Sequence, residues 1–359
     1  MRRTGDLAMA TRPLNGKTKA AILVEQNAPL AVAEVEIPSL TVGQVLVEVH
    51  YSGLCGKQMD EVTGKRGADP FLPHLLGHEG AGVVVEVGPG VQKVKPADHV
   101  VLHWMKGTGV DSTTPAFRRN GTVVNAGWVT TFSEYTVVSE NRLTPIPKDI
   151  PSDVACLLGC AATTGLGIVF NDAVLKPGQS IAVFGVGGVG LNVVQAAALV
   201  NAYPILAIDL YDRKLEWALS FGATHTVQAG RDDLEPCLRR LSGASGFDVT
   251  VDTTGNSQVF QAAYNLTSRT GKTILAGVLH HQLPITIDAY PLHFGRQIIG
   301  SHGGATQPDI DIPRYIELYR RGKLQLKEQI THRFCLDEIN DALEVMRRGE
   351  AIRCVIAMS

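Results

Sequence analysis

The sequence predicts an α/β chain in which a parallel-sheet unit is inserted into a β-rich unit. Three observations predict it: alternating runs of strand length in the first third, a strand–glycine turn–helix segment near the middle, and helix and strand patterns that resume towards the end. At 359 residues the chain exceeds one ordinary core, so two domains are expected. A composition of 45% hydrophobic and 19% charged residues, with 37 Gly and 18 Pro, suits a globular chain built from many short elements.

Residues 1–16 carry positive charge but no continuous apolar run and are expected to form a loose extension. No segment reaches the length needed to span a bilayer. The formal net charge of −2 lacks the basic footprint of a nucleic-acid binder, so a small-molecule substrate is expected, with neither nucleic acid nor membrane as a partner. The six cysteines are dispersed without a disulfide-scaffold pattern, which points to a reduced, cytoplasmic protein.

From residue 17 onward the pattern is mostly strand. Glu34-Val35-Glu36-Ile37 alternates, Val45-Leu46-Val47-Glu48-Val49 is rich in β-formers, and Val83-Val84-Val85-Glu86-Val87 runs into the turn Gly88-Pro89-Gly90. An antiparallel β domain is expected. Residues 103–129, rich in Gly, Thr and Asn and free of cysteine, read as a lobe or loop. Prolines punctuate residues 145–151, a helical stretch begins near Val154, and a domain boundary falls near Ala161. The expected division is 17–161 with 303–359 for the β-rich domain and 162–302 for the inserted one.

The segment from Ser180 passes from an apolar strand through a glycine turn into an apolar-faced helix. Gly185, Gly187 and Gly190 have G-x-G-x-x-G spacing: the first permits the tight turn, the second close approach of a pyrophosphate, the third close packing of helix on strand. Gly188 and Val189 complete the turn, and the free N–H groups of the new helix suit an anion. A second apolar run, Ile205 to Ile208, stops at Asp209, where a carboxylate can accept both adenosine-ribose hydroxyls and repel a 2′-phosphate. This is a Rossmann dinucleotide-binding unit, and NAD is the expected coenzyme; Arg213 and Lys214 follow the acid and temper the exclusion of NADP. Beyond it come a helix over residues 213–221 closed by Gly222, strands at 247–252 and 272–276, and a helix between those strands, which imply a parallel sheet covered on both faces. Near the end Asp337 can cap a helix whose Ile339, Ala342, Leu343 and Met346 recur at helical spacing, with Gly349 as a stop and residues 354–357 as a last strand.

Cys55, His78 and Cys160 are the soft and borderline metal ligands worth gathering, and two thiolates with an imidazole suit zinc. Scattered ligands fit a catalytic site with an exchangeable position better than a closed structural one. Spacing alone leaves the alternative open that the cysteines are small buried hydrophobes and the histidine is held by hydrogen bonds.

The combination of Gly53-Leu54-Cys55, Gly77-His78-Glu79-Gly80, the run to Gly90, Lys95-Pro96-Ala97-Asp98-His99-Val100, Gly159-Cys160 and the glycine turn resembles the zinc-dependent medium-chain alcohol dehydrogenases, from about Lys19 to the end. The resemblance implies a Rossmann domain inserted into a catalytic domain of co-chaperonin-like fold, with zinc and nicotinamide in a cleft between them. It implies one catalytic zinc on Cys55, His78 and Cys160, with Glu79 as a nearby carboxylate that exchanges with water on the metal. It places Thr164 and the backbone of Ala276, Gly277 and Val278 against the nicotinamide, and Arg353 against the pyrophosphate. The sequence departs from the family in three ways. The lobe lacks the four cysteines that hold a second, structural zinc in many members. Lys57 stands where a hydroxyl relay is common and Gln58 where an acid is common. Gly56 lacks the Arg or His that some relatives place against the pyrophosphate.

The expected reaction is oxidation of a secondary alcohol to a ketone by hydride transfer to NAD. An ammonium beside a metal and low-polarity walls favours a neutral amine, so Lys57 is expected to accept the alcohol proton, with Asp60 continuing the relay. His103, Trp104, Lys106, Arg118, Arg119, Asn120 and Asn125, bracketed by Trp104 and Trp128, suggest a sugar, aminosugar or cyclitol substrate. The alternatives are a zinc dehydrogenase of small aliphatic alcohols or diols, a zinc-free NAD(P)H reductase, and a non-catalytic NAD-binding protein of the same superfamily. By resemblance a homodimer or homotetramer is expected, pairing through a sheet edge at residues 272–278 and 284–288.

Overall fold

The computed structural model describes residues 12–13, 15–65, 67–230, 234–279 and 284–358. Most of the expected N-terminal extension lies outside them, although Arg12 is described and donates to Glu86 and to the Pro38 carbonyl. The chain divides into two compact units, Met1–Cys160 with Gln307–Pro313 and Ile330–Ser359, and Ala161–Thr306 with Arg314–Gln329. The first division falls beside the expected Ala161. The return expected to be continuous over 303–359 is instead shared, because Arg314–Gln329 belongs to the second unit.

In the first unit, a closed barrel runs through Lys17–Leu23, Ala31–Glu36, Ala116–Arg119, Thr122–Asn125 and His74–Leu75. Beside it lies a sheet ordered Leu143–Pro145, His99–His103, Glu79–Val87, Gln44–Gly53, Arg353–Ala357, Ile330–Cys335, with Tyr135–Ser139 also on Gln44–Gly53. Alternation in these strands turns Ile22, Val35, Leu46, Phe117 and Val137 into one buried cluster. The lobe is more ordered than its composition suggests: Ala116–Arg119 and Thr122–Asn125 form a hairpin that completes the barrel.

Carboxylates hold the start of that lobe. Asp309 accepts from the Thr108 N–H and hydroxyl and from the Thr144 hydroxyl, and pairs with Lys93 at 2.6 Å. Glu140 accepts the N–H groups of Gln92, Lys93 and Val110. Backbone donors of an irregular segment thereby find acceptors.

The second unit is a parallel sheet ordered His225–Gln228, Ile205–Asp209, Ile181–Phe184, Phe247–Asp252, Thr267–Leu275, Gln297–Gly300. Apolar runs on the central strands bury Ala182, Phe184, Leu206, Ile208 and Val251. The expected sheet edge at 272–278 is corrected: Lys272 to Leu275 are paired on both sides, to Val249–Asp252 and to Gln297–Gly300. Among the described residues, Gln297–Gly300 is the outer strand on that side. Residues 284–288 form no strand.

Near the C-terminus the helix Ile339–Arg347 buries Ile339, Ala342 and Leu343. Its entry is held by Glu338, which accepts the Cys335 N–H at 2.8 Å, rather than by Asp337, which pairs with Lys19 at 2.5 Å. Among the described residues, no single helix is long and apolar enough to cross a membrane.

Candidate metal centre and coenzyme turn

Three separate elements of the first unit deliver the sulfur and nitrogen donors. Cys55 follows the strand Gln44–Gly53 and opens the helix Gly56–Val62. His78 immediately precedes the strand Glu79–Val87. Cys160 ends a helical turn, Cys156–Gly159, pressed so closely on the strands that a Cβ on Gly159 would lie 2.4 Å from the Leu102 carbonyl oxygen. One ligand atom from each of Cys55, His78 and Cys160 lies within 4.8 Å of the others. Hydrogen bonding with Cys160, then with His78, draws the Cys55 thiol well below its ordinary range despite burial, and the Arg353 charge acts in the same direction. Two thiols, one already biased towards thiolate, and an imidazole form a donor set that fits zinc and leaves a position for a further ligand.

Glu79 and Arg353 are paired with each other. Arg353 donates to Glu79 Oε1 in an ion pair whose side chains are 4% and 0% exposed. Arg353 is thus held inside the first unit, where it also meets Cys55.

Lys57 and Asp60, expected to act as a relay, each have an ion-pair partner within a few residues. The Lys57 ammonium donates to Glu61 Oε1 at 3.1 Å, one helical turn on, and Asp60 pairs with Lys65 at 3.5 Å. Lys57 is a donor with a carboxylate partner, which suits binding better than proton acceptance. Gln58 points inward: it is 1% exposed, its Oε1 accepts the Cys55 N–H at 3.1 Å, and its amide nitrogen lies 2.6 Å from His78 Nδ1. That contact was missed from sequence, although a Gln three residues after a helix-opening residue is a signal for a side chain that folds back on the opening N–H.

The polar inventory of the lobe is largely committed internally. His103 is buried between the Met105 carbonyl and the Thr144 hydroxyl, and burial pushes its pKa down to about 4. Lys106 pairs with Asp111, Arg118 donates to the Gly121 carbonyl, and Asn125 donates to the Phe71 carbonyl. Trp128 lies under the Arg142 guanidinium at 5.0 Å.

In the second unit the strand Ile181–Phe184 leads through Gly185 into the helix Gly188–Leu199. Gly185 has φ +84°, and a Cβ on Gly190 would lie 2.0 Å from the Gly185 carbonyl oxygen, so turn and helix can close only without side chains there. At Gly187 a Cβ would meet no protein atom within 4 Å, the open approach a pyrophosphate needs beside Gly188 and Val189. Asp209 ends its strand and anchors the turn, Oδ2 accepting the Val186 N–H at 2.9 Å and Oδ1 the Tyr211 N–H at 3.2 Å. Lys214 lies over the Tyr211 ring and Arg213 over Trp217, each at 5.0 Å.

Thr164 lies on the helix Ala161–Gly167, which packs so tightly on the glycine-turn helix that a Cβ on Gly165 would lie 2.4 Å from Asn192 Cβ. The N–H groups of Ala276 and Gly277 both donate to the Asp252 carbonyl, at 2.9 and 2.8 Å. Those two residues therefore offer a ligand their carbonyls, while the neighbouring Val278 is 64% exposed.

A Rossmann-type unit joined in one chain to a β-rich unit bearing Cys, His and Cys defines a metal- and nicotinamide-dependent oxidoreductase. The family model described as "Alcohol dehydrogenase GroES-like domain" matches residues 41–148, and that described as "Zinc-binding dehydrogenase" matches residues 188–321. The chain is 36% identical over 376 residues to "Alcohol dehydrogenase class-3" of Cereibacter sphaeroides, covering 95% of this chain and 99% of that one. It is 35% identical over 377 residues to "S-(hydroxymethyl)glutathione dehydrogenase" of Paracoccus denitrificans, with the same coverage. Among solved structures it is similar to benzyl alcohol dehydrogenase from Acinetobacter calcoaceticus, with a TM-score of 0.86, 26% identity, and coverage of 96% of this chain and 99% of that one. The chain belongs to the zinc-dependent medium-chain alcohol dehydrogenases, NAD-dependent enzymes acting on CH–OH groups.

Proposed function

We propose that this alcohol dehydrogenase oxidises a polar secondary alcohol to a ketone at Cys55, His78 and Cys160. The observation that carries the site assignment is the convergence of their ligand atoms to within 4.8 Å of one another. When bound there, zinc supplies a Lewis acid for the alcohol oxygen while NAD supplies the hydride acceptor. Cys55 and Cys160 would hold the metal as thiolates, and His78 would hold it through Nε2, because Nδ1 is engaged by Gln58. Glu79 and Arg353 neutralise each other beneath the ligands. Gly187 and the N–H groups of the following helix bind the coenzyme pyrophosphate, Asp209 the adenosine ribose, and Thr164 with Ala276, Gly277 and Val278 the nicotinamide.

The substrate reading rests on Lys57 and Glu61 rather than on the lobe. Their side chains are 38% and 26% exposed, directly after the first ligand, and offer a cationic donor and an anionic acceptor to substrate hydroxyl or amino groups. This favours a sugar, aminosugar or cyclitol over a simple aliphatic alcohol. The named activity of the relatives favours a second reading, the hydroxymethyl thioether of glutathione, which is also polar and charged. We further propose a homodimer formed through Gln297–Gly300; Ile298 on that strand and Tyr290 and Phe294 before it are exposed. A monomeric mass by light scattering would overturn that assembly.

The test is kcat/KM with NAD across ethanol, butanediol, sorbitol, myo-inositol, aminosugars and S-(hydroxymethyl)glutathione, on protein with measured zinc content. The expected result is about one zinc per chain and a preference for a polyol. Lys57→Met is expected to raise KM for the polyol by about tenfold, the loss of one charged hydrogen bond, with kcat nearly retained. A preference for ethanol or butanediol, or a fall in kcat at unchanged KM, would overturn the substrate reading.

A further inference from the structure

The hydrogen bonds of Gln58 conflict with the state of His78 that a metal requires. Gln58 Oε1 accepts the Cys55 N–H, and the amide nitrogen donates to His78 Nδ1. In that arrangement Nδ1 is the acceptor, so the proton of the neutral ring sits on Nε2, the nitrogen left for the metal. Coordination needs the Nε2 lone pair, which moves the proton to Nδ1 and turns it towards the amide N–H₂. Rotating the amide by half a turn gives His78 an acceptor but directs N–H₂ at the Cys55 N–H. One amide therefore meets two donors with one acceptor, in a position only 1% exposed. A carboxylate of the same shape would accept from both.

We infer that Gln58 is a positioning residue that limits how tightly Cys55, His78 and Cys160 hold their metal, and that loading the site turns the Gln58 amide over and releases the Cys55 N–H. The inference rests on the metal reading above. Its consequence is a site that exchanges zinc more readily than one with an acid at this place, and whose helix Gly56–Val62 loses the Gln58 contact at its opening residue on loading.

The experiment is zinc competition against a chromophoric chelator for the full chain and for Gln58→Glu, with amide hydrogen exchange at Cys55 in both zinc-loaded proteins. Gln58→Glu is expected to bind zinc about tenfold more tightly or better, the range typical of groups that orient a ligating histidine. The loaded wild type is expected to exchange the Cys55 amide about tenfold faster than loaded Gln58→Glu, as follows when a buried N–H loses its acceptor. Melting of the two metal-free proteins serves as the folding control. Equal zinc affinities, or equal Cys55 exchange in the two loaded proteins, would overturn the inference while leaving the metal site intact. A wild-type chain that takes up no zinc would instead overturn the metal reading itself.

Discussion

Arg353 and Glu79, 274 positions apart, form a buried ion pair behind the metal ligands, and Gly53 is the wall that lets them meet. A Cβ at Gly53 would lie 2.7 Å from Glu79 Oε1 and 2.8 Å from Arg353 Nη2. Removing one partner leaves an uncompensated buried charge, and such losses run to about 3–5 kcal/mol. Arg353→Leu is predicted to lower unfolding free energy by that amount, and adding Glu79→Gln to recover part of it. A double-mutant cycle in urea measures the coupling; additive single effects would refute it.

Asp209 anchors the glycine turn through the Val186 N–H and ends the strand that faces the coenzyme ribose in folds of this type. Asp209→Asn retains an acceptor for Val186 but removes the negative charge. It is predicted to lower kcat/KM with NAD by about tenfold, the scale of a charged hydrogen bond, and to raise the NADP/NAD ratio. Steady-state kinetics with both coenzymes decide the point, and an unchanged ratio would remove Asp209 from coenzyme choice.

His103 makes the lobe sensitive to mild acid. Burial lowers its pKa from 6.5 to about 4, so the unfolded chain binds its proton first as pH falls. The stability it contributes is complete above 6.5 and declines as pH falls from 6.5 towards about 4. Asp309 and Glu140 act lower. Burial raises each, but Lys93 and Thr108 around Asp309, and backbone N–H groups around Glu140, hold them below their ordinary 3.8 and 4.5, so their contributions are lost only beneath those values. Melting temperature followed from pH 7 to 4.5, a window set by the His103 shift, is predicted to fall more steeply for wild type than for His103→Asn. Parallel curves would exclude His103 as the cause.

The parts of the site that were legible in the sequence are those set by short-range physics. Gly185, Gly187 and Gly190 mark the turn because backbone sterics act over a few residues, and Asp209 was placed by the length of the preceding helix and strand. Strand periods revealed the core faces, and Cys55, His78 and Cys160 were recognisable as donors by chemical type and by resemblance. Their convergence was not legible from spacing, because 105 positions separate Cys55 from Cys160.

The sequence by itself determined the Rossmann unit, the β-rich unit around it and the chemical inventory of the metal centre, since each follows from local conformational preference and residue type. Only the tertiary structure decided who meets whom. Pairing Arg353–Ala357 against Gln44–Gly53 brought Arg353 to Glu79 and Cys55. The helix after Cys55 turned Lys57 to Glu61 and Gln58 to His78, and packing of the lobe consumed His103 and Asn125 internally. A buried charge or donor must find a partner among whatever the fold places within about 3 Å, and that neighbourhood is a property of the assembled sheets rather than of any stretch of chain.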